Sequence, residues 1–474
     1  MNTIHDSTTY IVFGAGPAGL MAAHTLVKLG KKVIVLEADS QAGGLAKTLQ
    51  RGSFKYDLGP HNLHSIYPEI IQLIKKLLNN QIEEPKVLSR IYFRGRIVPY
   101  PLTGIKVFTS IPLYLAVMAG FDFILTRIKG KISAHLLDDA SFKDWIIHRF
   151  GTILYSIYFE PYALKVWKID PADLSSIVAK KRIPVLSLFG LIKKVLFNER
   201  RFHPEDFTQI YNFYPKGGVG VLMKTIEEEV LSLGGEILYN IKIDQVLVSD
   251  GKASKICYRD KAGKAFTIEN IRLISSIPLD DFVPLLSGID PEIKMKSKRL
   301  DYCPMRFFYL IVNKKEVFDV PWVYFSDPDA IFNRVSDFSK FSSSMAPDNK
   351  TILCFEISCR IDDELWRIPD NAIFDKVIAV LERYSLLKKE DAASFFSEYA
   401  AHSYPLFFKG FEKIIESALK EIEKIEGIIT IGRQGLYTYA NIDDAMRMGI
   451  LAANLISKES IKVDYKNIFG NYLF

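Results

Sequence analysis

The stretch TTYIVFGAGPAGLMAAHTLVKLGKKVIVLEAD, residues 8–39, limits what this chain can fold into more than any other. Ile11 to Phe13 read as a short buried strand, and Gly14, Gly16 and Gly19 give the spacing GxGxxG. Ala18 to Leu29 read as a helix, and KVIVLE as a second strand ending in Glu37. Glycine lets the backbone turn tightly and approach a pyrophosphate at a helix N-terminus. Glu37, eighteen residues beyond Gly19, is placed to accept hydrogen bonds from a ribose diol. A GxGxxG alone is a weak signal. Strand, helix, strand and acid in this order specify a dinucleotide site.

The residues beyond Glu37 bear on the choice of dinucleotide. Gly43 and Gly44 come at once, then Gly59 and His61 behind an apparent strand. A nicotinamide domain proceeds directly to another strand–helix unit, whereas here a further glycine-rich loop lies where a longer cofactor would extend. The acid, five residues and then a glycine pair resemble the FAD-binding start of the amine oxidase superfamily. That resemblance implies FAD.

Length and composition bound the rest. The 474 residues allow about three domain-sized units, shared between discontinuous pieces. Hydrophobic residues at 49% and charged residues at 24% describe an ordinary globular chain. A net charge of +6 with dispersed Lys and Arg argues against nucleic acid but leaves room for an anionic small molecule. The four cysteines show no CxxC spacing and fit a reduced, cytoplasmic protein. His61 and His64 have no cysteine or carboxylate cluster beside them, so no metal site is assigned. The first apolar run lacks a basic start and reads as no signal peptide. Val107 to Phe121 carry no charge. The run is too short to cross a bilayer and contains Pro112. It reads as buried helix, with contact to the inner membrane surface as the alternative.

The pattern gives an α/β fold: a discontinuous Rossmann-like FAD-binding domain (1–61, 215–279 and 425–474), an inserted, mainly helical domain (62–214), and a mixed or antiparallel sheet domain (280–424) that meets the substrate. IYFRGRIVPYPL reads as a hairpin near the start of the helical piece. Near the C-terminus, IITIG reads as a strand, Gly432 to Gly435 as a turn, and Asn441 as the cap of a helix with Asp443 and Asp444 in its first turn. Such a helix end, aimed at a flavin, would stabilise the negative charge of its reduced form. Tyr437 and Tyr439, two apart, would face one side of an extended backbone.

GRQGLYTYANID is similar to the C-terminal signature of the UDP-galactopyranose mutases. YALKVWKIDPADLSSIVAKKRIP and IFNRVSDFSKF resemble two further segments of that family. The resemblance implies Arg433, Asn441 and Ile442 beside the cofactor, with Gly432 and Ile243 completing its set, and Tyr439 on a substrate diphosphate with Tyr437 in the substrate set. It also implies Tyr162 against a nucleotide base, Trp167 along a sugar pocket, and Arg182 or Lys181, together with Arg334, on the diphosphate. His61 would sit over the flavin edge. Arginine's planar fork suits diphosphate oxygens better than lysine does. Where the family carries an aspartate, this chain has Asn441.

The function implied is a nucleotide-sugar mutase that interconverts pyranose and furanose rings through an adduct at N5 of reduced FAD, with NAD(P)H as an external reductant. YPKGGVG and HSYPLF resemble protoporphyrinogen oxidase-like flavoproteins instead. They keep open an FAD oxidase or desaturase, whose apolar substrate would enter past residues 107–121.

Overall fold

A computed structural model describes the chain except residues 1–7, 86–88, 94, 101–108, 110, 131–139, 183–210, 459–462, 471 and 474. Five parallel strands form one sheet in the order Glu236–Leu238, Val33–Leu36, Thr9–Phe13, Ile271–Ser275, Ile428–Thr430. TYIVF, VIVL and IIT are nearly continuous apolar runs, as a parallel sheet covered on both faces requires. Three distant stretches of chain thus meet in one layer. The helices Pro17–Lys28 and Ile442–Ile456 cross over it so closely that a Cβ added to Gly449 would stand 2.4 Å from Ala18 O. An antiparallel three-stranded sheet (Lys242–Ser249, Lys252–Arg259, Ala265–Glu269) flanks this unit.

The second large sheet has seven strands, in the order Ala392–Pro405, Tyr302–Val312, Thr351–Ser358, Arg334–Asp337, Trp322–Phe325, Ser89–Phe93, Arg96–Tyr100. Tyr302–Val312 is buried along its whole length. Because strand side chains alternate, Phe308, Leu310 and Val312 enter a core with the helix Asp370–Arg383, while Phe307, Tyr309 and Ile311 face the other way, toward Tyr56 and Tyr214. That second face looks onto the chain leading to Gly59 and His61.

Two expectations for residues 62–214 are corrected. The hairpin at 89–100 does not belong to a helical domain; it extends the seven-stranded sheet, pairing parallel with Trp322–Phe325. A strand edge satisfies its N–H and C=O groups better than a helical surface would. The apolar stretch is not buried either. Its helix, Leu113–Gly130, turns Ala119 inward and leaves Leu113 (80% exposed), Phe121 and Ile128 facing solvent. Pro112 precedes that helix rather than breaking it, with Pro112 O accepting from Ala116 N at 3.0 Å. At the start of a helix the N–H that proline lacks would have no partner in any case. Residues 107, 108 and 110 lie outside the described part. No helix among the described residues is long and apolar enough to cross a membrane.

Candidate active site

The dinucleotide end is shaped by close backbone approach. Gly14 has φ 87°, a conformation open to glycine, and its N–H bonds to Leu36 O at 2.9 Å. A Cβ on Gly19 would lie 1.9 Å from Gly14 O, so the turn and the helix need both glycines. Gly16 caps the helix with no side-chain hydrogen bond, and a Cβ there would meet nothing within 4 Å. Gly43 N–H bonds to Ala15 O at 2.8 Å, and a Cβ on Gly44 would stand 3.3 Å from Gly16 Cα, folding the second glycine pair over the first loop. Glu37 is buried and accepts from Ala15 N (2.5 Å) and Asp39 N (2.8 Å). A carboxylate keeps lone pairs beyond two such bonds, enough for a diol. Asn240 and Ile241 bond to Asp39 O and Glu37 O, and half-buried Ile243 follows two residues further on. A helix N-terminus without a side-chain cap, two glycine loops and a fixed acid fit FAD's pyrophosphate and ribose.

Gly59 and His61 hang from a buried hub. Asp57 is wholly buried, accepting from Thr48 Oγ1 (2.6 Å), Tyr214 Oη (2.5 Å) and Val219 N (3.2 Å). Burial pushes its carboxyl up to about 7 despite these donors. Tyr309 Oη donates to Asp57 O at 2.6 Å and accepts from Gly59 N at 3.2 Å. Gly59 itself sits so tightly on Phe307 that a Cβ would be 2.5 Å from the ring. His61 Nδ1 lies 2.9 Å from Gly59 O. Burial, then the charges of Arg433 and Arg334, hold the imidazole down at about 4, so it is neutral at neutral pH.

The C-terminal segment returns to this cradle. Gly432, at φ 82°, would bring a Cβ to 3.0 Å from Ala18 Cβ on the dinucleotide helix. Gly432–Gly435, read as a turn, is one helical turn. Arg433 donates to Ala440 O (2.7 Å), and its guanidinium stacks 4.9 Å from the Tyr404 ring centre. Asn441 precedes the helix Ile442–Ile456, its N–H bonded to Asp444 Oδ2 (3.1 Å) and its side-chain nitrogen 3.3 Å from His64 Nε2. Ile442, the first residue of that helix, is half-buried.

Tyr437 is corrected. Its φ of 49° is left-handed, so it does not share a side with Tyr439, and its ring is fully buried. Its hydroxyl donates to Leu406 O (2.8 Å) and Asp301 O, which makes it a core fastener rather than a substrate contact. Tyr439 lies parallel to Tyr404, ring centres 6.0 Å apart.

Arg334 reaches the site across strands. Tyr324, Arg334, Glu356 and Phe307 stand directly opposite one another on four neighbouring strands, hence on one face, the face that meets Gly59. Glu356 grips Arg334 with both oxygens, at NH2 (2.8 Å) and at Nε. This partner holds the guanidinium charged despite its burial. NH1 makes no hydrogen bond among the described residues.

Trp167, Lys181 and Tyr439 line one small recess with Ile177, Val178 and Phe407. Tyr439 therefore joins the arginine cluster to the helical piece. Tyr162 is half-buried on the same helix as Trp167, Glu160–Trp167. Lys165 of that helix donates to Phe325 O (2.7 Å) and Asp327 O (3.0 Å), tying it to the large sheet; burial lowers its amine to about 7. Arg182 ends the helix Ile177–Arg182, and its side chain lies outside the described part.

The sequence reading missed Glu356, Tyr404 and Asp57. Glu356 carried a signal: a lone acid within TILCFEIS, an apolar strand, needs a cation. Asp57 and Tyr404 carried none, because their importance lies in partners far away in the chain.

The family model for flavin-containing amine oxidoreductases matches residues 17–456. The chain belongs to that family. It is an FAD-dependent enzyme of that family, related to the protoporphyrinogen oxidases. A crystal structure of reduced UDP-galactopyranose mutase superposes with a TM-score of 0.81, covering 98% of each chain at 21% identity, and so shares the fold. Protoporphyrinogen oxidase 2 of Arabidopsis thaliana is 27% identical over 171 residues, 35% of this chain and 33% of its own length. A Klebsiella pneumoniae protein named "Probable UDP-galactopyranose mutase" is 22% identical over 185 residues, 38% of this chain and 46% of its own. The chain thus aligns with less than half the length of either curated relative.

Proposed function

We propose that this flavoenzyme is a nucleotide-sugar mutase that interconverts pyranose and furanose forms of a nucleoside-diphosphate sugar. One observation carries the reading: Arg334, fixed by Glu356, shares the sheet face that meets the Gly59 loop, with Tyr404 and Tyr439 stacked beside it. A diphosphate needs a fixed planar cation and hydroxyl donors. Reduced FAD supplies an electron-rich ring nitrogen, while the protein binds, orients and neutralises charge. Gly14, Gly16, Gly19, Glu37, Gly43 and Gly44 would hold the dinucleotide, and Arg433 with the helix end after Asn441 would steady its reduced form. Arg334 and Tyr439 would take the leaving diphosphate, with Lys181 or Arg182 closing from the helical side. Trp167 and Tyr162 would hold sugar and base. Neutral His61 would offer a hydrogen bond without bringing a third cation between the two arginines.

The test is anaerobic incubation of dithionite-reduced protein with UDP-, dTDP- and GDP-hexopyranoses, resolved by HPLC. A new peak of unchanged mass that needs reduced flavin is expected. NAD(P)H should replace dithionite if a nicotinamide is the external reductant. The exposed apolar helix Leu113–Gly130 favours a second reading, an FAD oxidase or desaturase of an apolar substrate. No peak across the panel, with rapid reoxidation of the flavin by air, would favour it.

A further inference from the structure

The helix Glu160–Trp167 carries Tyr162 and Trp167, whereas Arg334 stands on the large sheet. Something must fix the distance between these two elements. Downstream of the helix the backbone does so: Ser175 N–H bonds to Phe407 O at 2.7 Å, and Lys409 N–H to Asp173 O at 2.8 Å. Ahead of it, Tyr158 lies on the Phe93 ring, centres 4.7 Å apart. From within the helix, half-buried Lys165 reaches across, its amine donating to Phe325 O at 2.7 Å and to Asp327 O at 3.0 Å. Lys165 is three residues past Tyr162, hence its neighbour on the helix surface, and two before Trp167.

The acceptors are fixed, and they belong to the strand pair that holds Arg334. Tyr324 stands opposite Arg334 across the ladder, and the next residue, Phe325, bonds through its N–H to Asn333 O at 2.9 Å. Ser326 N–H and Oγ both donate to Tyr92 O, at 3.1 and 2.8 Å. The Asp327 carboxylate accepts from Tyr384 Oη, and Asp327 O accepts from Ala330 N at 3.1 Å as well as from Lys165. A lysine stem ordinarily leaves its head group in water. Here the head group is drawn onto two carbonyls of a turn that other bonds already hold, and two such bonds fix a position more closely than apolar contact does.

We propose that Lys165 is a positioning residue: it mounts the helix Glu160–Trp167 on the Phe325–Asp327 turn and so sets Tyr162 and Trp167 at a fixed distance from Arg334. The inference rests on the mutase reading, in which these three residues flank one nucleotide sugar. It is tested with Lys165→Met, which keeps an apolar stem and removes the donors, in the full FAD-loaded chain. By hydrogen exchange, amides of residues 160–167 should exchange at least about fivefold faster, while those of the dinucleotide helix Pro17–Lys28 stay unchanged. In turnover of whichever nucleotide sugar wild type accepts, KM should rise about tenfold with kcat within about threefold, the split that lost substrate binding gives. Lys165→Gln, a shorter and uncharged donor, should lie between wild type and methionine on both counts. It serves in place of methionine if that variant loses its flavin. Unchanged exchange in residues 160–167, or an unchanged KM, would overturn the proposal. Equally faster exchange in both helices would do so too, because it makes Lys165 a fastener of the whole fold. A wild type that turns over no nucleotide sugar sinks the mutase reading instead, and exchange alone then decides whether Lys165 mounts the helix.

Discussion

At the dinucleotide end, a Cβ on Gly19 would lie 1.9 Å from Gly14 O, five residues away. At the proposed substrate end, Arg334 is fixed by Glu356, twenty-two residues on and one strand over, beside Tyr404. The first region is made of missing side chains within one short stretch. The second is made of side chains that the sheet register brings together. A local device fails by local clash, and a register device fails by losing a partner, so damage to the two should look different in the same protein.

The largest expected effect is at the cradle. Gly19→Val drives side-chain atoms into backbone that has no room to yield, and the purified protein should lack flavin absorbance altogether. A variant that keeps full FAD would break the contrast at its local end.

On the proposed mutase reading, Arg334→Ala should instead retain flavin and lose turnover of a nucleotide sugar by at least about 100-fold. Leaving Glu356 buried and unpaired also costs about 3–5 kcal/mol, so Arg334→Lys is the cleaner probe. It keeps a charge but not the fork, and should cut kcat by about tenfold or more with FAD content and Tm near wild type. Flavin loss in the lysine variant would merge the two regions into one cooperative unit.

Asp57 underpins the turn at Gly59 and His61, and its effect depends on pH. Its folded carboxyl is raised to about 7 from an ordinary 3.8, so the folded state holds a proton that the unfolded state gives up. That contribution is full below about pH 4 and is lost as pH rises through 7. Asp57→Asn should flatten the fall in Tm between pH 5 and 8. His61 has the opposite sign: lowered to about 4, it costs stability as pH falls from about 6.5 toward 4. An unchanged Tm slope in Asp57→Asn would mean that another group governs that range.

The smallest effect separates the two tyrosines. Tyr437→Phe removes a hydroxyl that donates to backbone carbonyls and should lower stability by about 1–2 kcal/mol with kcat nearly unchanged. Tyr439→Phe should leave Tm alone and reduce turnover. The reverse pattern would return Tyr437 to the substrate.

Much of this protein was legible in order along the chain. GxGxxG, the strand before it and Glu37 after it named a dinucleotide cradle, because glycine spacing and helix-end chemistry act over a few residues. The two strands of that cradle followed from Ile11–Phe13 and KVIVLE, and a helix after Asn441 followed from its cap and first-turn acids. Tertiary structure alone decided three things. Tyr437 turned inward because one left-handed residue reversed the alternation that an extended backbone would have given. Arg334 acquired Glu356, Tyr324 and Tyr404 because register is a property of paired strands and not of any one of them. The apolar side of Leu113–Gly130 faced outward because Asp122 found Ile153 N on the inside. An apolar pattern fixes which residues share a face of a helix, and only the packed neighbours fix which way that face points.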